Sequence, residues 1–233
     1  MTSRQSVLSS TEVQAYYDHF GSKQDSQGFY EDPAVDDLIN HSDFEEAQRV
    51  LELGCGTGKL AARLLAQQLP ASATYLGYDL SPTMVGLATH RLKGYGERAR
   101  VAHSDANLKF PLPDHSVDRV VCCYVLDLLS EDDIRRFFAE AYRVLDPAGR
   151  LCLASLTHGV TLASRMVSSL WMTVFRLRPS LVGGCRPIRL DPYVDSERWQ
   201  VEHRRVLTPF GVPSEVLVLR PSSAAKAGAV PSL

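Results

Sequence analysis

The chain has no Cys-x-x-Cys pair, and its five cysteines are an odd number that cannot all pair. Cys55, Cys122, Cys123, Cys152 and Cys185 lack metal-ligand spacing, and three of them sit in apolar, strand-like runs. That usage fits buried free thiols in a reducing compartment, so neither a disulfide framework nor a metal site is expected. An excess of one charge is also missing. A net charge of −2 gives no general attraction to phosphate backbones, and nucleic acid is not expected as a partner. The opening MTSRQSVLSSTEVQAYY lacks an apolar run of signal-peptide length, which predicts a cytoplasmic protein. No internal repeat is visible. At 233 residues with 45% hydrophobic content, the chain suffices for one sizeable core and is short for two enzyme domains.

What is present is an alternation of strand and helix patterns, the sign of βαβ units and a parallel sheet. Strands are predicted at 50–53, 74–78, 100–103, 118–124 and 150–156. The run 118–124 is apolar almost throughout, as a strand covered on both faces should be. Helices are predicted over 59–69, from Ser81-Pro82 to about Gly94, and from Ser130 through Leu145, with a turn at Asp146-Pro-Ala-Gly149. From Val160 to Leu177 the spacing predicts an amphipathic helix. Its apolar side carries Val160, Ala163, Val167, Leu170, Val174 and Leu177, and Thr161, Arg165, Ser168 and Arg176 fall largely opposite. Runs 199–207 and 215–219 read as an antiparallel hairpin, and the chain from Arg220 on reads as a disordered tail. The expected fold is α/β, a Rossmann-like, doubly wound, seven-stranded sheet, mostly parallel with an antiparallel C-terminal hairpin. A helical segment 1–45 would precede a domain 46–220, which holds an insertion at 158–198, and a tail 221–233 would follow.

The first strand runs into Glu52-Leu-Gly54-Cys-Gly56-Thr-Gly58, and the second ends at Asp79. Closely spaced glycines let a backbone turn sharply beside a ligand, and a carboxylate about 20 residues on can accept from two ribose hydroxyls. A nucleoside pocket follows. The spacing is not the G-x-G-x-x-G of dinucleotide folds, and acidic Glu52 suits a cationic ligand better than a pyrophosphate.

This motif resembles the first motif of class I S-adenosylmethionine-dependent methyltransferases of the ubiquinone/menaquinone type. The resemblance covers about Tyr16 to Leu156 and implies S-adenosylmethionine as methyl donor, with S-adenosylhomocysteine as product. It places Gly54, Cys55, Gly56 and Gly58 under the cofactor, Asp79 on its ribose, and Leu80 and Met84 against adenine. His103-Ser-Asp105-Ala106 resembles the motif in which an acidic side chain takes the adenine amino group, which points to Asp105 and Ala106. The stretch Cys122-Cys123-Tyr124-Val-Leu-Asp127-Leu resembles S-x-V-L-H-H-L, with Asp127 where a histidine is common. By that resemblance Cys122 and Cys123 border the cofactor, Tyr124 the substrate, and Asp127 either steers an amine, serves as a base, or tethers the next helix.

Other residues are placed by position. His158 ends the fifth strand, and its ordinary pKa of about 6.5 would permit general-base work or a mere capping role. In the resemblance, an aromatic N-terminal segment folds over the cofactor. Tyr17 is its foremost residue, with Tyr16 and Phe20 toward the substrate, or these three and Tyr30 serve as core anchors for an N-terminal helix. Trp171, Met172 and Phe175 could wall an acceptor site, face a bilayer, or pack on the domain. The acceptor is expected to be a small or lipid-like molecule, with a membrane surface as a further partner and the oligomeric state open. Two rivals stand beside methyl transfer: a cofactor-binding protein without turnover, and a nicotinamide-dependent oxidoreductase.

Overall fold

The structure is a computed structural model that describes residues 7–222. Seven strands form one sheet in the order β3-β2-β1-β4-β5-β7-β6. They are β1 (Arg49–Leu53), β2 (Thr74–Asp79), β3 (Ala99–His103), β4 (Val117–Cys123), β5 (Leu145–Leu156), β6 (Trp199–Leu207) and β7 (Ser214–Pro221). All neighbours are parallel except β7, which runs antiparallel to β5 and β6. The order reverses between β1 and β4, so the carboxyl ends of these strands splay around a crevice.

Among the described residues there are six α-helices: α1 (Ser10–Phe20), α2 (Gly28–Asn40), α3 (Lys59–Gln67), α4 (Pro82–Leu92), α5 (Glu131–Val144) and α6 (Leu162–Leu177). On one face Ala34 and Leu38 of α2, Ala61 and Leu64 of α3, and Ala88 of α4 join Val50 and Val121 in an apolar cluster. On the other, α5 contributes Ile134, Phe137, Phe138 and Ala141 against Leu51, Val120 and Leu153. Each fully buried large side chain stabilises the fold by about 1.5–3 kcal/mol relative to exposure. This double cover is why β4 can be apolar on both sides.

The caps are as the sequence suggests. Ser81 accepts from the Met84 N–H at the start of α4, with Pro82 in its first turn. Ser130 accepts from the Asp133 N–H at the start of α5.

Three expectations are corrected. The predicted turn at 146–149 lies inside the span of β5: Leu145 already pairs with Val117 and Arg150 with Arg119, so the intervening residues bulge out of a continuing strand. The tail does not begin at Arg220, because β7 runs to Pro221 and Trp199 pairs with it; residues 223–233 lie outside the described residues. The apolar side read for α6 is not its buried side. Ser164, Ser168 and Phe175 are buried, while Leu162, Leu170 and Leu177 face solvent.

Candidate functional site

The turn after β1 is built by two backbone requirements. Gly54 and Gly56 have φ of 74° and 52°, a region that L side chains rarely adopt. Their N–H groups are both used. Gly54 donates to the Tyr78 carbonyl at 2.7 Å, and Gly56 to Asp79 Oδ2 at 2.8 Å. Asp79 Oδ1 accepts from the Ser81 N–H at 2.9 Å. One carboxylate therefore joins the glycine turn to the cap of α4, and each oxygen keeps lone-pair capacity for a further donor. Burial raises the Asp79 pKa, against hydrogen bonds from Ser81 and Gly56 that lower it.

Beneath the turn Glu52 is 3% exposed and accepts from the Tyr75 hydroxyl. Burial pushes its carboxyl up to about 7; the Tyr75 bond opposes this and the nearby Asp79 adds to it. Among the described residues no cation offsets Glu52. Gly58 cannot serve a phosphate through its N–H, which donates to the Cys55 carbonyl at 2.9 Å.

Two clefts meet at this turn and share Gln24, Gly54, Cys123 and Tyr124. The first runs past Asp79, Leu80, Met84 and Ala106 to Tyr17 and Val13 of α1. The second runs past Glu52, Cys55 and Gly56 to Glu31 and Asp32 of α2. Their roof is the N-terminal segment. Asp18 of α1 accepts from Ser81 Oγ and the Thr83 N–H, and Asp25 accepts from Thr57 Oγ1 at 2.6 Å and from Arg91. Gln24 hangs over Gly56, where a methyl group would come within 2.7 Å of its Oε1, and that oxygen is buried without a partner.

Beyond Tyr124 the aromatic residues gather. Tyr124 itself has a φ of 56° and its hydroxyl donates to Ser214 Oγ at 3.0 Å. Its ring meets Tyr30 edge-on at 5.9 Å, and Trp171 and Cys185 pack in the same cluster. The Tyr17 hydroxyl lies 3.7 Å from Cys185 Sγ, and Trp171 Nε1 donates to the Cys185 carbonyl at 3.0 Å. Asp127 is 0% exposed and neither of its carboxyl oxygens has a hydrogen-bond partner among the described residues. Burial pushes its pKa up to about 7, and the backbone groups of Asp127 and Leu156 and the Arg186 guanidinium act weakly the other way. Glu31 is likewise pushed up to about 7 by burial.

The remaining residues named from sequence fall elsewhere. Asp105 is exposed and turned away from both clefts, accepting from the Asn107 N–H and Nδ2 at 3.1 and 2.8 Å, while its neighbours Ser104 and Ala106 line the first cleft. Cys122 points into the core opposite Cys123, as strand alternation requires. Tyr16 and Phe20 stack on each other at 5.5 Å, and Tyr16 leans on Gly183. Phe175 is 2% exposed, so it is a core residue of α6. His158 lies at the surface, its pKa lowered by partial burial and by Arg189.

Gln24, Glu31 and Cys185 were missed by sequence reasoning. Gln24 sits in the polar run GSKQDSQ, which carries no periodicity, and the other two come from segments distant in sequence.

The metal-free expectation passed over one group: Asp37, His41 and His203 bring ligand atoms within 4.8 Å of one another. Asp37 already takes His203 Nε2 at 2.6 Å and Arg205 at 3.0 Å. The two imidazoles stack at 3.6 Å and 6°, so their in-plane lone pairs run side by side instead of converging.

Residues 50–149 match the family model described as a methyltransferase domain. That segment of the chain is similar to methyltransferase domains. The matched methyltransferase segment holds the glycine turn, Asp79, Tyr124 and Asp127. The chain is 34% identical over 104 residues to a demethylmenaquinone methyltransferase of Thermus thermophilus, covering 45% of each protein. It is 40% identical over 108 residues to a ubiquinone/menaquinone biosynthesis C-methyltransferase of Desulfotalea psychrophila, covering 46% of this chain and 41% of that one. The matches thus span less than half of these relatives. A solved geranyl diphosphate methyltransferase in complex with S-adenosylmethionine has the same fold, with a TM-score of 0.61 at 13% identity over 81% of this chain and 84% of that one. Among the described residues no helix is long and apolar enough to cross a membrane.

Proposed function

We propose that the protein transfers a methyl group from S-adenosylmethionine to a small or lipid-like acceptor. The observation that carries this reading is the pair of carboxyls at the glycine turn. Glu52 is buried with no cation beside it among the described residues, and Asp79 bridges Gly56 and Ser81 with lone pairs to spare. Such a site repels a pyrophosphate and attracts a ligand that brings positive charge and adjacent hydroxyls. The unpartnered Gln24 Oε1 above Gly56 fits the same ligand, since an ammonium would supply its missing donor. When bound, S-adenosylmethionine supplies an electrophilic methyl on a sulfonium.

In this reading the chain aligns and excludes water. Asp79 holds the ribose hydroxyls, and Leu80 and Met84 flank the adenine. Asp105, exposed and bonded to Asn107, would reach an adenine amino group only if the 104–108 loop rearranged, so Ala106 and Leu108 at φ of 64° and 54° are the nearer contacts. Tyr17 and Tyr124 line the first cleft, and a ring face turned to a cationic centre favours it by about 0.5–2 kcal/mol. Methyl transfer is an in-line displacement with a neutral leaving group, so positioning carries most of the catalysis. A base is needed only for a protonated nucleophile; Asp127, 0% exposed and outside the lining of both clefts, would provide it only if a bound acceptor opened a path to it. The quinone-directed names of the relatives support an aromatic or lipid-like acceptor, which the Tyr30, Tyr124 and Trp171 cluster would contact.

The test is calorimetric titration with S-adenosylmethionine and with NAD, followed by an acceptor screen across quinols, phenols, amines, thiols and lipids that reads S-adenosylhomocysteine. Binding of S-adenosylmethionine alone and product with at least one acceptor class are expected. Binding of NAD alone would sink the reading, and tight S-adenosylmethionine binding with no product from any class would make the protein a cofactor-binding module.

A further inference from the structure

Helix α6 is turned inside out. At about 100° per residue, Leu162, Met166, Leu170 and Leu177 fall within an arc of roughly 80°. That arc faces solvent, with exposures of 81, 75, 67 and 78%. Ser164 and Ser168, on the opposite arc, are 0% and 4% exposed. Their hydroxyls are used internally: Ser164 completes a capping box with Thr161, and Ser168 Oγ accepts from the Gly159 N–H at 3.1 Å. The fold therefore holds α6 without its leucines.

The apolar surface extends past the helix. Leu181 is 67% exposed. Phe210, in the turn between β6 and β7, is 81% exposed and held at a φ of 51°. This turn lies against α6, since a methyl group on Gly211 would meet Val167 at 3.1 Å. Phe29, 57% exposed, meets Phe210 at 5.7 Å.

Charge selects among the partners that such a surface would suit. Between Leu156 and Leu190 the chain has five arginines and no aspartate or glutamate, although its net charge is −2. Arg165 and Arg176 border the exposed arc of α6, and Arg178 and Arg189 follow it, all four exposed. The fifth, Arg186, is buried and donates to the carbonyls of Asp127 and Leu129. An apolar ridge whose charged neighbours on the same stretch of chain are all arginines matches a surface that is anionic outside and apolar within. At 16 residues α6 is too short to span and would lie in the plane of the interface.

We propose that α6 and the 209–211 turn form a docking face for an anionic lipid bilayer. The inference goes beyond methyl transfer and does not rest on it. Trp171, on the protein side of α6, belongs to the aromatic cluster with Tyr30 and Tyr124, so a docked molecule holds that cluster close to the lipid phase.

The test is co-sedimentation of the full chain, without cofactor, with vesicles of phosphatidylcholine alone and of phosphatidylcholine plus phosphatidylglycerol. Binding to the phosphatidylglycerol vesicles, weakened by added salt, is expected. The R165E/R176E double variant should lower the partition coefficient by roughly tenfold or more. The L162S/M166S/L170S variant should lose binding, and unchanged circular dichroism and S-adenosylmethionine affinity would show that it stays folded. Three results would overturn the proposal. They are no binding of the wild type to either vesicle, equal binding by wild type and both variants, or a concentration-dependent dimer in ultracentrifugation that the leucine variant abolishes, which would give the face to a second copy of the chain.

Discussion

Gly54 and Asp79 occupy positions where a single atom has a readable consequence. A Cβ at Gly54 would overlap Val125 Cγ2, on a backbone with φ of 74°. Gly54→Ala is expected to destabilise the fold by about 1–3 kcal/mol, read as a lower urea midpoint. Val125→Ala added to it should recover the steric share and leave about 1 kcal/mol of backbone strain. A single variant with the wild-type midpoint would mean that the turn relaxes and the packing argument fails. Asp79→Asn keeps the shape but sets an amide nitrogen against the N–H of Gly56 or Ser81 and removes the charge. Hydrogen bonds to charged groups contribute about 1.5–3 kcal/mol, so S-adenosylmethionine affinity should fall by roughly tenfold or more in calorimetry. An unchanged affinity would remove Asp79 from the ribose.

At the scale of elements, the roof formed by α1 and the 21–27 segment is held by few contacts, mainly Asp18 to the Ser81 cap and Asp25 to Thr57 and Arg91. None of the residues of α1 is fully buried, and besides Asp18 it is attached through Tyr16 against Gly183 and Tyr17 against Cys185. Asp18→Ala should leave the melting temperature of the domain nearly unchanged while speeding amide exchange across 10–27 and raising the dissociation rate of S-adenosylmethionine. Exchange confined to its wild-type rate would show that the roof is held by other contacts. The same scale explains what the sequence conceals. The strands, the caps at Ser81 and Ser130, and the glycine turn are legible because each is set by neighbours within a few residues. The buried side of α6 is not, because hydrophobic periodicity assumes that leucines go inward, and here Ser164 and Ser168 do. Nor is the direction of Asp105, which a local bond to Asn107 decides, nor the meeting of Tyr17, Asp127 and Cys185, which only the tertiary fold assembles.

For the whole molecule, the site is stored as buried acid. Glu52, Glu31 and Asp127 have ordinary pKa values of 4.5, 4.5 and 3.8, and burial pushes all three up to about 7 in the fold. Each is protonated in the folded state and ionised in the unfolded chain between those limits. Their contribution is therefore fully present below the unfolded values and is lost as pH rises through about 7. The unliganded protein should lose stability between pH 5.5 and 8, by about 1 kcal/mol per pH unit for each such carboxyl while it remains protonated. Glu31 is only half-buried and should contribute least. The measurement is urea unfolding across that range, for wild type and for Glu52→Gln/Asp127→Asn, whose profile should be flatter and whose stability at pH 8 should exceed the wild type. Saturating S-adenosylmethionine should flatten only the part owed to Glu52, because its positive charge favours the ionised carboxylate there. A wild-type profile already flat between pH 5.5 and 8 would mean that Glu52 and Asp127 are ionised without penalty, and the cation-seeking reading of the turn would lose its electrostatic basis.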